Sequence, residues 1–185
     1  GGGVVASGAA PLAVQLAEQA GLPTTMTLMG LGAMAIDHPL SIGMLGMHGA
    51  RYTNFVLEEA DVLVCVGARF DDRAIGRAAQ FCPNAKIVHI DIDRSELHKI
   101  KSAHVAVNAD VSTALEALLP RVKVTLRTDW LAQVAELKQR CPMLFPDVDN
   151  PRSHYGLIKA VADALDDEAV ITTDVGQHQM WVAQA

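Results

Sequence analysis

A strand-length apolar run, Val62-Leu63-Val64-Cys65-Val66, stops at Gly67 and passes at once into Arg69, Asp71, Asp72 and Arg73. An uninterrupted hydrophobic run of that length reads as a buried parallel strand, and open α/β sheets bind their ligands beyond the carboxyl ends of such strands. Two guanidinium groups and two carboxylates at that point cost desolvation unless they serve a ligand or an ion-pair network. Three other stretches carry chemistry of the same kind. Leu45-Gly46-Met47-His48-Gly49 is a glycine-punctuated turn feeding a helix, whose first backbone N–H groups are free to meet an anion; its alternative is a plain βα loop with methionines filling the core. Asp91-Ile92 closes a second apolar run, where a doubly wound fold holds a ribose hydroxyl. Asp110-Val111 closes a third, and there helix capping by Asp110 or Ser112 is the competing role.

Two further signals are weaker. His89, Asp91 and Asp93 alternate onto one strand face, but same-face positions lie ~6.6 Å apart, wide for short side chains to converge on one metal ion. Gly30-Leu31-Gly32-Ala33-Met34-Ala35 spells G-x-G-x-x-A. The dinucleotide fingerprint needs a helix directly after it, and Asp37-His38-Pro39 breaks one, so this segment reads as a loop with His38 a solvated loop residue. Gly1-Gly2-Gly3 is either a phosphate-cradling turn ahead of a helix or a flexible end.

These residues need a scaffold, and the alternation along the chain supplies one. A helix is expected over Pro11 to Ala20, with proline at its first turn and Gly21 as its stop. A β-prone stretch follows at Pro23 to Leu28, then a helix from Ala50 to Ala60 with Tyr52, Phe55, Val56 and Ala60 on one face. Strands are expected at Val62–Gly67, Ile87–Asp93 and Val105–Ala109, and then a helix turning Ala114, Leu115, Leu118 and Leu119 inward. Strand–helix alternation of this kind gives an α/β fold with a doubly wound, Rossmann-like parallel sheet. Beyond Arg121 come an amphipathic helix, Thr128 to Arg140, with Trp130, Val134 and Leu137 aligned, and a proline-rich connector. Ser153 then caps a helix with Ile158, Val161, Ala162 and Leu165 on one face, followed by a strand at Ala169–Thr173. The expected organisation is a nucleotide-binding domain over 1–122, a helix and linker over 123–150, and the start of a second α/β domain over 151–185. Both ends read as cut, the first as though a strand before Gly1 had been removed.

Composition narrows the class. With 185 residues, 50% of them hydrophobic and 19% charged, the chain has the make-up of a globular protein. A net charge of −6 and the lack of a basic run argue against nucleic acid. No stretch reaches the ~20 apolar residues of a membrane helix. The three cysteines, Cys65, Cys82 and Cys141, are far apart and fit a reduced, cytoplasmic setting.

Thr27-Leu28-Met29-Gly30, Leu45 to Gly49, Gly67 to Arg73, His89 to Asp93 and Asp174-Val175-Gly176-Gln177-His178-Gln179-Met180-Trp181 occur in this order in one known family. In these motifs the chain resembles the large catalytic subunit of acetolactate synthase (acetohydroxyacid synthase), in its bacterial isozyme I form. The resemblance spans nearly the whole chain and implies the central, FAD-binding domain of a thiamine-diphosphate enzyme with three α/β domains. It implies FAD contacts at Gly2, Gly3, Thr27, Leu28, Gly46, Met47, His48, Gly67, Ala68, Arg69, Asp71, Arg73, Asp91, Ile92, Asp110 and Val111. Backbone amides and arginines suit a diphosphate, and a carboxylate suits ribose or ribityl hydroxyls. The same resemblance places Asp72 and Arg73 on the substrate channel and Gly176, Gln177 and His178 at the phosphate end of thiamine diphosphate. The glutamate that activates thiamine and the magnesium-binding residues of the family lie outside this chain, so no catalytic residue is expected within it. Expected partners are the flanking domains of the same chain, further catalytic subunits in a homodimer or tetramer, and a small regulatory subunit. The expected reaction joins two pyruvates into 2-acetolactate, or pyruvate to 2-ketobutyrate, in branched-chain amino-acid biosynthesis. Three other readings stand beside it: a non-catalytic NAD(P)-binding regulatory module, the middle domain of another thiamine-diphosphate decarboxylase or carboligase, and a spacer whose loops bind nothing.

Overall fold

The computed structural model describes residues 1–166 and 169–184. The chain forms two compact units, Gly1–Pro142 and Met143–Ala185.

The first unit is α/β throughout. Helix α1 (Gly2–Ala6) leads into α2 (Ala10–Ala20), which carries Pro11 in its first turn and ends where Gly21 takes the left-handed conformation, φ 61°, and donates back to Ala17 O. Strands β1 (Thr24–Met26) and β2 (Ser41–Met44) pair in parallel. The loop between them contains the G-x-G-x-x-A segment, and no helix follows it. Helix α3 (Arg51–Glu59) precedes β3 (Val62–Val66), the short α4 (Asp72–Ile75), β4 (Lys86–Asp91), β5 (Val105–Asn108) and α5 (Val111–Leu118). Strands β3, β4 and β5 form a parallel sheet in that order, with Val62 opposite Lys86 and Val88 opposite Val105.

The helices cover these sheets with the faces their spacing dictates. Val4, Leu16, Val111, Leu115 and Leu119 form one core from α1, α2 and α5. Helix α6 (Thr128–Arg140) lays Val134 and Leu137 against Ile42 and Val56, with Trp130 beside them, so it is packed onto α3. Its Lys138 Nζ donates to Ser41 O at 2.7 Å and sits over the Tyr52 ring. A third core gathers Cys65, Phe70 and Ile87 around β3 and β4.

The second unit holds α7 (His154–Ala164) and α8 (Gln177–Gln184). Ser153 Oγ caps α7 by accepting from Gly156 N at 3.0 Å. The His154 and Trp181 rings stack with centroids 4.2 Å apart, and Tyr155 Oη donates to Gln184 Oε1.

Three expectations change. The parallel sheet is divided into a two-stranded and a three-stranded piece. Ser41–Met44, to which the sequence assigned no element, is a strand, its apolar run interrupted by Gly43 at φ 69°. Ala169–Thr173, read as a strand, has no ladder partner among the described residues, and Val170 is 90% exposed. A strand needs a neighbour to take its backbone groups. Val161 and Leu165, on the apolar face of α7, are exposed.

Candidate functional site

The strand ends hold the residues singled out above, and each has a local reason for its position. Beyond β3, Gly67 turns at φ 54° and keeps its N–H on Ile90 O at 2.8 Å. A Cβ there would lie 2.8 Å from Gly3 Cα, so two glycine backbones touch where side chains cannot fit. Gly3 N donates to Gly67 O at 2.9 Å, and Gly2 and Gly3 open the first turn of α1. The glycine run is therefore a built turn against the end of β3.

Ala68 O accepts from His89 Nε2 at 3.0 Å. A carbonyl only accepts, so the proton of this fully buried imidazole is on Nε2. His89 Nδ1 is a buried side-chain atom without a hydrogen-bond partner, and the ring stands edge-on to Phe70. His89 thus holds the turn that presents Arg69. Cys65, one turn away, is an inert core thiol, pushed up to about 12 by burial.

Asp71 is the cap of α4: its Oδ1 accepts from Ala74 N at 3.1 Å. Arg69, Asp72 and Arg73 are exposed around it. The Gly46 turn is tied to this cluster, since Met47 N donates to Arg73 O at 3.0 Å. It is also clamped by Asn54, whose side chain accepts from Gly46 N and donates to Gly46 O, both at 3.0 Å. Met47 is exposed beside His48. Thr27 and Leu28 follow β1 at the start of a single 3-10 turn.

Asp91 ends β4 with 8% exposure; its Oδ1 accepts from Asp93 N, and its Oδ2 lies 3.9 Å from His89 Nε2. Asp93 in turn caps the next turn through Ser95. Among the described residues no group of three or more His, Cys, Asp or Glu is placed to hold a metal. Asp110 caps α5, accepting from Ser112 Oγ at 2.6 Å and from Ser112 N at 2.9 Å. These bonds hold its carboxyl below the usual carboxylate range, the Ser112 hydroxyl contributing most.

Gly3, Gly67, Asp91, Ile92, Asp110 and Val111 line one cavity of about 190 Å³. They come from the ends of three parallel strands and from the first turn of the chain. Ala6 and Ser7 complete the lining and were missed by sequence reading. The small-residue run from Gly1 to Gly8 was the available signal, because small side chains leave room where backbones meet. Thr27, Leu28, Gly46, Met47, His48, Arg69, Asp72 and Arg73 lie outside that cavity on the neighbouring turns. Gly176, Gln177 and His178 belong to the second unit, exposed at the start of α8. No helix among the described residues is long and apolar enough to cross a membrane.

Comparison with known proteins places this geometry. The family described as "Thiamine pyrophosphate enzyme, central domain" matches residues 1–118. The acetolactate synthase isozyme 1 large subunit of Escherichia coli K12 is 60% identical over 186 residues, covering 100% of this chain and 33% of that protein. The acetolactate synthase large subunit of Parasynechococcus marenigrum is 43% identical over 188 residues, covering 100% of this chain and 30% of the relative. The chloroplastic acetolactate synthase of Arabidopsis thaliana is 42% identical over 173 residues, 90% of this chain and 26% of the relative. The chain thus spans about a third of the length of the curated relatives it matches. It belongs to the thiamine pyrophosphate enzyme family, and residues 1–118 correspond to the central domain of that family.

Proposed function

We propose that this chain is the central domain, with the beginning of the next, of an acetolactate synthase large subunit, and that its strand-end cleft holds FAD. The observation that carries the reading is the 190 Å³ cavity where Gly3, Gly67, Asp91, Ile92, Asp110 and Val111 meet. Its chemistry fits a nucleotide. Paired glycine backbones allow close approach of a ligand, and the nearly buried Asp91 carboxylate can accept from hydroxyl groups. A cavity of this volume takes one end of a dinucleotide. The rest would lie along the exposed turns that carry Met47, Arg69 and Arg73, whose guanidinium groups suit the diphosphate.

FAD in this reading is held rather than consumed, and the carbon–carbon chemistry belongs to thiamine diphosphate with its magnesium ion. Gly176, Gln177 and His178 are the residues of this chain assigned to that cofactor. The activity proposed for the whole subunit is the joining of two pyruvates to 2-acetolactate, or of pyruvate to 2-ketobutyrate. Its proposed assembly is a homodimer or tetramer of large subunits with a small regulatory subunit, in the cytoplasm.

Flavin fluorescence titration tests the cofactor. The chain should bind FAD weakly, and Ala6→Phe, which fills the cavity from its exposed wall, should weaken binding about tenfold or more. Binding of NAD with no response to FAD would overturn the reading in favour of a nicotinamide-binding module. The chain mixed with pyruvate, thiamine diphosphate, magnesium and FAD should form no acetolactate. Measurable turnover would show that it carries a catalytic site of its own.

A further inference from the structure

The carbonyl of Ala68, just beyond β3, takes two side-chain donors. His89 Nε2 donates to it at 3.0 Å and the Cys65 thiol at 3.4 Å. Cys65 and His89 stand opposite each other in the parallel pairing of β3 with β4, so the two donors reach one oxygen from neighbouring strands. A carbonyl has two lone pairs, and this one uses both. Its oxygen lies in the same plane as the Arg69 N–H and Cα, because the peptide bond does not rotate freely. Holding that oxygen therefore fixes the plane from which the Arg69 side chain departs.

A histidine is a poor choice here for packing alone. It is 0% exposed, its Nδ1 is buried without a hydrogen-bond partner, and an orphan polar atom of that kind destabilises a core. A phenylalanine ring would keep the edge-on contact with Phe70, whose centroid lies 5.1 Å away, and would leave no orphan. What phenylalanine lacks is the Nε2–H. Asp91 does not take that proton, since its Oδ2 is 3.9 Å away, outside hydrogen-bond distance. The bond to Ala68 O is thus what the imidazole supplies and an apolar ring would not.

The neighbours of Ala68 make this bond matter for Arg69. Gly67 N donates to Ile90 O at 2.8 Å, Phe70 is 5% exposed, and Asp71 caps α4. Arg69 is exposed between these held residues. A long guanidinium side chain has many rotamers, and ordering it on a ligand costs entropy. One way a fold reduces that cost is to fix the backbone from which the side chain leaves. His89 is not among the residues lining the strand-end cavity, so its effect on a ligand there passes through the turn.

We propose that His89 is a positioning residue for the anion-binding turn: its Nε2–H sets the Ala68–Arg69 peptide plane and so directs the Arg69 guanidinium onto the diphosphate of the bound nucleotide. This role of His89 rests on the reading of the strand-end cleft as a nucleotide site. It adds to that site a buried residue that does not touch the ligand. The Cys65 thiol shares the role, as the second and longer bond to the same oxygen.

A double-mutant cycle separates positioning from general support of the fold. FAD and inorganic diphosphate are titrated by calorimetry against the native chain, His89→Phe, Arg69→Gln and the double variant. His89→Phe and Arg69→Gln should each weaken both probes about tenfold, the loss of one charge-assisted contact. The double variant should be no weaker than Arg69→Gln alone, because His89 acts through that side chain. Losses that multiply to about a hundredfold would overturn the proposal, since His89 would then support the site without Arg69. His89→Gln, whose amide places a donor near the position of Nε2, should bind as the native chain does. A loss equal to that of His89→Phe would also overturn the proposal. If circular dichroism shows His89→Phe unfolded, the smaller His89→Leu carries the same cycle. The two probes keep this outcome apart from that of the flavin reading. Diphosphate bound without FAD would overturn the flavin assignment, and the cycle read on diphosphate then decides for His89. A native chain that binds neither probe would overturn the anion role of Arg69 and the role of His89 with it.

Discussion

Gly46 shows how closely the backbone is drawn together beside the arginine cluster. It takes φ 89°, and a Cβ there would collide with the Arg73 carbonyl and lie 2.8 Å from Ala74 Cα. Gly46→Ala should destabilise the fold by about 2 kcal/mol or more, since conformational strain and a backbone clash add. Gly32→Ala is the control: φ is 86°, but nothing lies within 4 Å, so about 1 kcal/mol is expected. Urea unfolding of both variants distinguishes the clash from the conformation. Asp110 gives a pH-dependent counterpart. Its carboxyl is depressed in the folded chain, so its contribution is complete above the ordinary carboxylate range and is lost as pH falls through the depressed value. Asp110→Asn keeps an acceptor for Ser112 N but no longer titrates, so the acid limb of the stability profile should flatten. Sequence reading found Asp110 because a capping acid follows a strand and precedes a helix. It could not see that His89 supports Ala68, because that contact joins residues 21 positions apart.

Helix α5 carries its packing on single positions. Leu115 is 0% exposed and sits with Val4, Leu16 and Val111 in the core between α1, α2 and α5. Leu115→Ala should cost about 2–5 kcal/mol, read as a lower urea midpoint. Val124→Ala, at a residue 79% exposed, should stay within about 0.5 kcal/mol. Elements of this kind were legible because their apolar spacing and caps agree, as at Pro11 and Gly21 for α2 and Ser153 for α7. Helix α6 was equally plain, with Val134 and Leu137 buried as the spacing requires. The failures have a common cause. Ser41–Met44 is a strand despite Gly43, and Ala169–Thr173 is not one despite its β-branched residues, because pairing rather than propensity decides. The division of the sheet at β1 and β3 was equally hidden, being a property of which edges meet.

The two units differ most in what they bury. Every buried hydrophobic side chain among the described residues lies between Val4 and Leu137, whereas in 143–185 the buried residue is Gly156. Leu157, Val161, Leu165, Val170, Ile171 and Val175 are instead exposed by 43% to 90%. Ordering a residue costs about 1–2 kcal/mol of backbone entropy, and burying apolar area returns roughly 25 cal/mol per Å². With so little area removed from water, the contacts of the second unit are small local ones, among them the stacked His154 and Trp181 rings, the Phe145–Tyr155 ring pair, the Lys159–Asp163 ion pair, the Ser153 cap and the Tyr155–Gln184 hydrogen bond. Net contributions of this kind are about 1 kcal/mol each, too small to order some forty residues. Low-dose limited proteolysis should therefore cut first within 143–185 and leave a resistant product close to Gly1–Pro142. Mass spectrometry of the early fragments reads this directly. Early cuts within β3, β4 or α5, with 143–185 intact, would show that the second unit is stabilised by something its own buried area does not supply. Protection of 143–185 that appears only when thiamine diphosphate and magnesium are added would instead link its order to the cofactor assigned to Gly176, Gln177 and His178.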